Sequence, residues 1–321
     1  DLLFGQDSVK KVLELFKREK PAAVMGVVPV DNPESYGIIE QDNRKNVKRI
    51  IEKPNREKAP SNLANAGIYA FSKDVFDKIR QTRASVRGEW ELTDAITLLA
   101  KDGGNVLAAH LLKDEWFDVG RPWDLLDANN WALKRLTPKV LGTIENGVHL
   151  NGLVYVAETA RIRSGAYIEG PVFIDEQADV GPNCYIRSGT SIGKRVRVGN
   201  AVEIKNSILM DDVHVGHLSY VGDSILGEKC NLGAGTITAN LRFDYGHVKM
   251  KIKHNFVDTG RRKLGVILGD NVKTGINSLF MPGVKVGENT WVGANVVVEQ
   301  DLPSDSVVLI RQTTTIKEKK K

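Results

Sequence analysis

Two stretches of this 321-residue chain concentrate side chains that can move a proton or hold polar groups. The first reads Val215-Gly216-His217-Leu218-Ser219-Tyr220-Val221-Gly222-Asp223, the second Asn231-Leu232-Gly233-Ala234-Gly235-Thr236-Ile237-Thr238-Ala239-Asn240. An imidazole titrates near neutral pH, so His217 can act as a general base. The phenol of Tyr220 and the carboxamides of Asn231 and Asn240 can donate hydrogen bonds to polar groups or to a developing oxyanion. The bland reading of His217 is a satisfied structural histidine. His214, His247 and His254 lack comparable surroundings and read as surface residues.

These stretches lie inside a repeat. Ile144, Leu150, Val156, Ile162, Ile168, Ile174, Val180, Ile186, Ile192, Val198 and Ile204 recur every sixth residue, and the register returns at Leu268, Thr274, Phe280, Val286, Val292 and Val298. An α-helix cannot use this period, because it would rotate the apolar stripe around the surface. A short strand and a corner can. Three such faces close a triangular coil of about 18 residues, and coils stack about 4.8 Å apart through parallel hydrogen bonds. The clean period fails between Ile204 and Leu268, so function is expected there. Within the break a polar excursion, 241–263, leaves the period altogether.

The period is that of the hexapeptide-repeat acyltransferases, and that resemblance implies left-handed coiling and a homotrimer. The G-H-x-x-Y-x-G-D and N-x-G-A-G-T-I-T-x-N stretches closely resemble the acetyltransferase domain of the bifunctional family that makes UDP-N-acetylglucosamine. The resemblance implies acetyl transfer from acetyl-CoA to an amino-sugar-1-phosphate. His217 would be the base, Tyr220 and Asn240 would hold the sugar or oxyanion, and Asn231 would orient His217 or the amine. Arg187 and Lys205 match positions that grip the sugar phosphate, and Lys249 matches a substrate lysine in the excursion. Ile276, Gly293, Ala294 and Arg311 match positions that contact acetyl-CoA, the arginine by pairing with a phosphate.

Residues 1–136 read differently. Strands are expected at 24–30, 37–40, 47–51, 65–71 and 106–112, and helices at 74–81, 92–101 and 123–135, an α/β pattern. Tyr36-Gly37, Glu52-Lys53-Pro54, Asn65-Ala66-Gly67-Ile68-Tyr69, Gly88-Glu89 with Leu92-Thr93-Asp94, and Trp116-Phe117-Asp118-Val119-Gly120 resemble, in order, the motifs of sugar-phosphate nucleotidylyltransferases. By that resemblance Gly37 and Asn65 line the sugar pocket, Glu52 takes sugar hydroxyls and Lys53 meets the sugar phosphate. Asp1 and Asp118 would hold Mg²⁺, which suits hard carboxylate oxygens. Asp1 would be the aspartate at the end of a buried strand. The family's Gly-rich phosphate loop has no counterpart in residues 1–136, and an N-terminally truncated chain is expected.

The expected architecture is therefore a partial Rossmann-like α/β nucleotidyltransferase domain, 1–136, an all-β left-handed parallel β-helix, 137–316, and a solvated basic tail, 317–321. The formal charge of +5 is mild and does not call for nucleic acid. No apolar run is long enough for a bilayer helix. Two cysteines, Cys184 and Cys230, read as core filler and set a reducing cytoplasm as the expectation. Two competing readings stay open: a nucleotidylyltransferase whose β-helix only oligomerises or regulates, and a non-catalytic scaffold. Preference for gluco or galacto sugars, and the nucleotide base, are not written in these residues.

Overall fold

The computed structural model describes residues 1–85, 88–317 and 319. Of the expected basic tail, residues 318, 320 and 321 lie outside the described residues. The chain forms two compact units, Asp1–Gly120 and Arg121–Lys321.

In the first unit, β1 (Leu2–Phe4), α1 (Gln6–Glu19), β2 (Ala23–Pro29), β3 (Gly37–Gln41), β4 (Val47–Glu52), β5 (Leu63–Phe71), α2 (Val75–Gln81), α3 (Leu92–Lys101), β6 (Val106–His110) and β7 (Trp116–Asp118) follow in order. Five strands make a mixed sheet, β4-β3-β5-β2-β6, with β2 and β6 parallel and the other pairs antiparallel. Strand β2 is apolar throughout because both faces are covered. Val24 and Val28 join Val12 of α1 in one core cluster, while Ala23, Met25 and Val27 join Ile96 and Leu99 of α3 in another. Helix α1 was not expected from the sequence, although Ser8, Val9, Val12, Leu15 and Phe16 carry the helical spacing. The start of the chain is also not the end of a buried strand: Leu2 and Phe4 are exposed, and β1 pairs antiparallel with β7 in a separate ribbon.

The second unit is a parallel β-solenoid. Three parallel sheets of 8, 8 and 9 strands form its faces, so it has about nine coils, matching the left-handed β-helix. Inward aliphatic residues stack in register, for example Leu150 on Ile168, Ile168 on Ile186 and Ile186 on Ile204. Removing each such side chain from water contributes roughly 1.5–3 kcal/mol, and the stack forms one continuous core.

The stack does not fail after Ile204, as the fixed six-residue comb suggested. Ile204 pairs with Val221, Leu209 with Leu226 and Leu226 with Leu268. Two corners are one residue short, at Lys205–Ile208 and Gly222–Ile225. Leu209, Val215, Val221, Leu226, Leu232 and Thr238 therefore continue the core in a shifted register, all of them buried. Small hydroxyls fill these shortened corners: Ser224 Oγ donates to the Gly222 carbonyl at 2.8 Å, and the Ser224 amide donates to Ser207 Oγ at 3.1 Å. Between Ile204 and Leu268 the segment from Asn240 to Leu264 leaves the coil. Its hairpin, Lys249–Ile252 with Asn255–Asp258, and helix α4 (Pro122–Lys134) both cover the outer apolar side of one face. There Trp123 and Leu126 cluster with Ile225, Val248, Met250 and Leu264. Helix α4 thus packs with the solenoid, and the compact units part at Gly120/Arg121.

Candidate functional site

The shortened corners bring Arg187, Lys205, Tyr220 and Asn240 into one patch with Asp223. Arg187, Lys205 and Gly222 follow one another across successive coils on one face, and Glu203 pairs with Tyr220 beside them. Arg187 donates to Glu203 Oε1 at 2.9 Å. Lys205 Nζ lies 3.0 Å from Asp223 Oδ2, and the Asp223 side chain is only 4% exposed. Asn206 Nδ2 donates to Asp223 Oδ1 at 2.7 Å. Asn240, at the mouth of the excursion, donates to Asp223 Oδ2 and, at 3.1 Å, to the Tyr220 hydroxyl.

Gly222 makes this closeness available. A β-carbon there would stand 2.4 Å from the Tyr220 hydroxyl and 2.7 Å from Asn240 Nδ2. Burial holds the Tyr220 phenol above its usual pKa; the Asn240 bond opposes this, and the charges of Asp223 and Glu203 reinforce it. The phenol therefore remains a proton-bearing donor at neutral pH.

Asp223 floors a cleft of about 600 Å³ that Leu241, Tyr245, Arg261, Arg262 and Lys263 complete. Lys263 pairs with Leu241 where the excursion leaves and rejoins the coil, and the next amide, of Leu264, donates to the Asn240 carbonyl at 3.0 Å. Arg261 is held by Asp127 at 2.6 Å, so a phosphate entering this cleft meets Arg262 and Lys263 as its cationic side chains. Lys249, by contrast, sits on the hairpin opposite Asp258 and does not line the cleft. The excursion takes many residues before it returns, so the lysine at the cleft is the one at its end.

His217 lies elsewhere. It ends a strand of the preceding face, beyond the opposite end of Tyr220–Gly222 from Asp223. Its backbone carbonyl accepts from Ser219 Oγ at 2.7 Å, while its ring is exposed and unbonded among the described residues. Asn231 does not orient it within one chain: the ladder sets Asn231 beside His214 and Lys273, three positions away. Ile276, Gly293 and Ala294 lie along the His217 side of the coil. The Gly275 amide donates to Val292 O at 2.7 Å and the Asn295 amide to Ile276 O at 2.9 Å, which fixes these neighbours. Ile276 is 55% exposed, and Arg311 is exposed beyond the last coil.

In the first unit Gly37 pairs with Glu52 across β3 and β4, and a β-carbon on Gly37 would stand 2.8 Å from Glu52 Oε2. Asn65 Nδ2 donates to the Tyr69 hydroxyl at 2.6 Å. Burial raises the Tyr69 pKa, with the Asn65 bond opposing and the Glu52 charge adding to it. Gly37, Glu52 and Asn65 therefore gather on one part of the sheet, with Tyr69 as an unforeseen fourth member. Lys53 takes a left-handed backbone, φ 46°, and its amide donates to Tyr36 O at 3.0 Å. Leu2 stands opposite Asp118, and the Val119 amide donates to Asp1 O at 2.8 Å, so Asp1 and Asp118 are neighbours on adjacent strand ends. Two carboxylates suit a hard divalent ion whose other positions go to water and phosphate. Among the described residues no group of three or more metal-binding side chains occurs.

Three family models match the chain: Nucleotidyl transferase over residues 1–135, GMPPB C-terminal domain over 168–281, and Bacterial transferase hexapeptide (six repeats) over 265–300. The bifunctional protein GlmU of Methanococcus aeolicus is 46% identical over 321 residues, 100% of this chain and 76% of that one. Its counterpart in Methanocaldococcus jannaschii is 48% identical over 311 residues, 97% of this chain and 73% of that one. The bifunctional sugar-1-phosphate nucleotidylyltransferase/acetyltransferase of Sulfurisphaera tokodaii is 45% identical over 303 residues, 94% and 74% of the two chains. The chain belongs to this bifunctional nucleotidylyltransferase/acetyltransferase family. It is a transferase. In this bifunctional transferase the residues beside the candidate sites that sequence reasoning did not single out are Asp223, Arg262 and Lys263 in the solenoid and Tyr69 in the first unit. Asp223 stood inside the G-H-x-x-Y-x-G-D stretch, and its signal was an aspartate at a shortened corner. Lys263 closes an excursion whose ends only the fold brings together.

Proposed function

We propose that the solenoid transfers the acetyl group of acetyl-CoA to the amine of an amino-sugar-1-phosphate, glucosamine-1-phosphate and/or galactosamine-1-phosphate. The first unit serves the coupling of sugar-1-phosphate to a nucleoside triphosphate, giving a nucleotide sugar of the UDP-N-acetylglucosamine type. The observation that carries the reading is the Lys205–Asp223–Asn240–Tyr220 cluster, whose Asp223 also lines a cleft bordered by Arg262 and Lys263. Its donors suit a sugar phosphate and an acyl oxygen.

In the acetyl step His217 takes a proton from the substrate amine, whose lone pair attacks the thioester carbon. The carbon–sulfur bond breaks and the leaving thiolate takes up the proton as free CoA. Arg187, Lys205, Arg262 and Lys263 face the sugar phosphate. Ile276, Gly293 and Ala294 lie along the acetyl-CoA, and Arg311 pairs with one of its phosphates. In the other unit Gly37, Glu52, Lys53 and Asn65 hold the sugar, and Asp1 with Asp118 would hold Mg²⁺. Bound there, it would supply positive charge against the phosphates.

His217 and the Asp223 cluster lie beyond opposite ends of one short strand, so one copy supplies the base and another the sugar pocket. The protein then works as a homotrimer, as the hexapeptide solenoid fits. No helix among the described residues is long and apolar enough to cross a membrane. A cytoplasmic setting agrees with two free, buried thiols. Mixing tests the shared site. His217→Ala and Tyr220→Phe homotrimers are each slow, and trimers reassembled from both regain activity, because some interfaces carry both native residues. No regain on verified mixing would contradict the shared site.

A further inference from the structure

Lys205 and Asn240, which the acetyl-transfer reading uses, contact a carboxylate it does not use, and Tyr220 is linked to it through Asn240. Asp223 is 3% exposed. Its backbone is left-handed, φ 50°, and is held at both ends. Its amide donates to Lys205 O at 2.8 Å, and its carbonyl accepts from the Gly265 amide at 2.8 Å. The carboxylate faces the Lys205 ammonium at 3.0 Å and the Asn206 amide nitrogen at 2.7 Å. Asn240 fills the remaining side.

A carboxylate opposite an ammonium can only accept. That fixes which end of the Asn240 carboxamide faces it: the NH₂ end. The same nitrogen lies 3.1 Å from the Tyr220 hydroxyl, so the phenol oxygen receives the second amide hydrogen. The phenol's own hydrogen then points elsewhere, and it meets no acceptor among the described residues. The carboxamide oxygen of Asn240 is likewise turned away from Asp223.

We propose that Asp223 is a positioning residue for acetyl transfer: acting through Asn240 it sets the polarity of the Tyr220–Asn240 pair, so that Tyr220 keeps its hydrogen for the thioester carbonyl oxygen. The inference rests on the acetyl-transfer reading. With the opposite polarity Tyr220 would spend its hydrogen on Asn240 and offer the developing oxyanion nothing. Asp223→Asn creates that case. The new carboxamide can turn its oxygen to Lys205 and its NH₂ to Asn240, which then flips and captures the phenol hydrogen.

The test is steady-state acetyl transfer by the assembled protein in wild type, Asp223→Asn, Tyr220→Phe and the double variant, with melting temperatures alongside. The expected result is a fall in kcat of about 100-fold for Asp223→Asn, the scale of one lost oxyanion donor. The KM for acetyl-CoA stays within about two-fold, and the double variant is no slower than Tyr220→Phe alone, as for residues acting as a unit. Independent effects that multiply in the double variant, or wild-type kcat in Asp223→Asn beside a slow Tyr220→Phe, would overturn the inference. Wild-type kcat in Tyr220→Phe would instead count against the acetyl-transfer site itself. If Asp223→Asn does not fold, Asn240→Ala cuts the same link and leaves the Lys205–Asp223 pair intact. Its effect must likewise vanish in the Tyr220→Phe background, and a multiplying effect overturns the inference.

Discussion

Gly222 lies so close to Tyr220 that a β-carbon on the glycine would stand 2.4 Å from the phenol oxygen. The glycine is not needed for its backbone angle, since its φ is not positive. It is needed for space. Gly222→Ala should therefore keep the coil folded, with a melting temperature shifted by only a few degrees, and should slow acetyl transfer about 100-fold by displacing Tyr220. An alanine variant with wild-type kcat would show that the Tyr220 hydroxyl need not stand where it does.

The two candidate lysines of the excursion separate cleanly. Lys263 lines the cleft over Asp223, whereas Lys249 faces Asp258 on the hairpin. Lys263→Ala should raise the KM for the amino-sugar phosphate about ten-fold, the effect of roughly 1.4 kcal/mol of lost binding. Lys249→Ala should leave it within about two-fold. The reverse result would return the substrate contact to the hairpin.

The two cysteines give a pH signature. Burial pushes Cys184 and Cys230 up to about 12 from the usual 9. Between these values the unfolded chain ionises its thiols while the folded chain keeps them protonated. The folded state then holds more protons, and stability falls as pH rises. The contribution is whole below pH 9 and lost by about pH 12. Denaturant midpoints should drop between pH 8 and pH 11 more steeply in wild type than in a Cys184→Ala/Cys230→Ala variant. In native protein at pH 7.5 a thiol reagent should react slowly with both; rapid labelling without denaturant would contradict their burial.

Asp118 belongs to a unit with its own core, so the two activities should respond independently. Asp118→Asn should abolish any Mg²⁺-dependent release of pyrophosphate from nucleoside triphosphate and sugar-1-phosphate, and leave acetyl transfer within about two-fold. Loss of both activities together would point to a folding defect rather than to a metal ligand.

How much of this was legible in the sequence depends on what each residue had to reveal. Ile144 to Ile204 displayed the solenoid, because an inward position every sixth residue is a one-dimensional signal. The shortened corners at Lys205–Ile208 and Gly222–Ile225 were misread as a long break, because a fixed comb loses step when a single residue is missing. His217, Tyr220 and Asn240 stood out through the two stretches that carry the family resemblance. Asp223 did not, since its importance comes from three partners that converge only in the folded corner. Lys263 is far from Asn240 along the chain and beside it only because the excursion closes on itself. Helix α1 carried its apolar positions in plain view, but its polar residues and the expectation of a strand at Leu2 hid it.

The most direct test of acetyl transfer at this site follows free thiol from acetyl-CoA on addition of glucosamine-1-phosphate or galactosamine-1-phosphate, in wild type and in His217→Ala. Wild type should release thiol in step with N-acetyl product for at least one of the two sugars. His217→Ala should lose at least about 100-fold in kcat at neutral pH, the scale of a general base. No sugar-dependent thiol release by wild type, or equal release by the His217→Ala variant, would contradict the account.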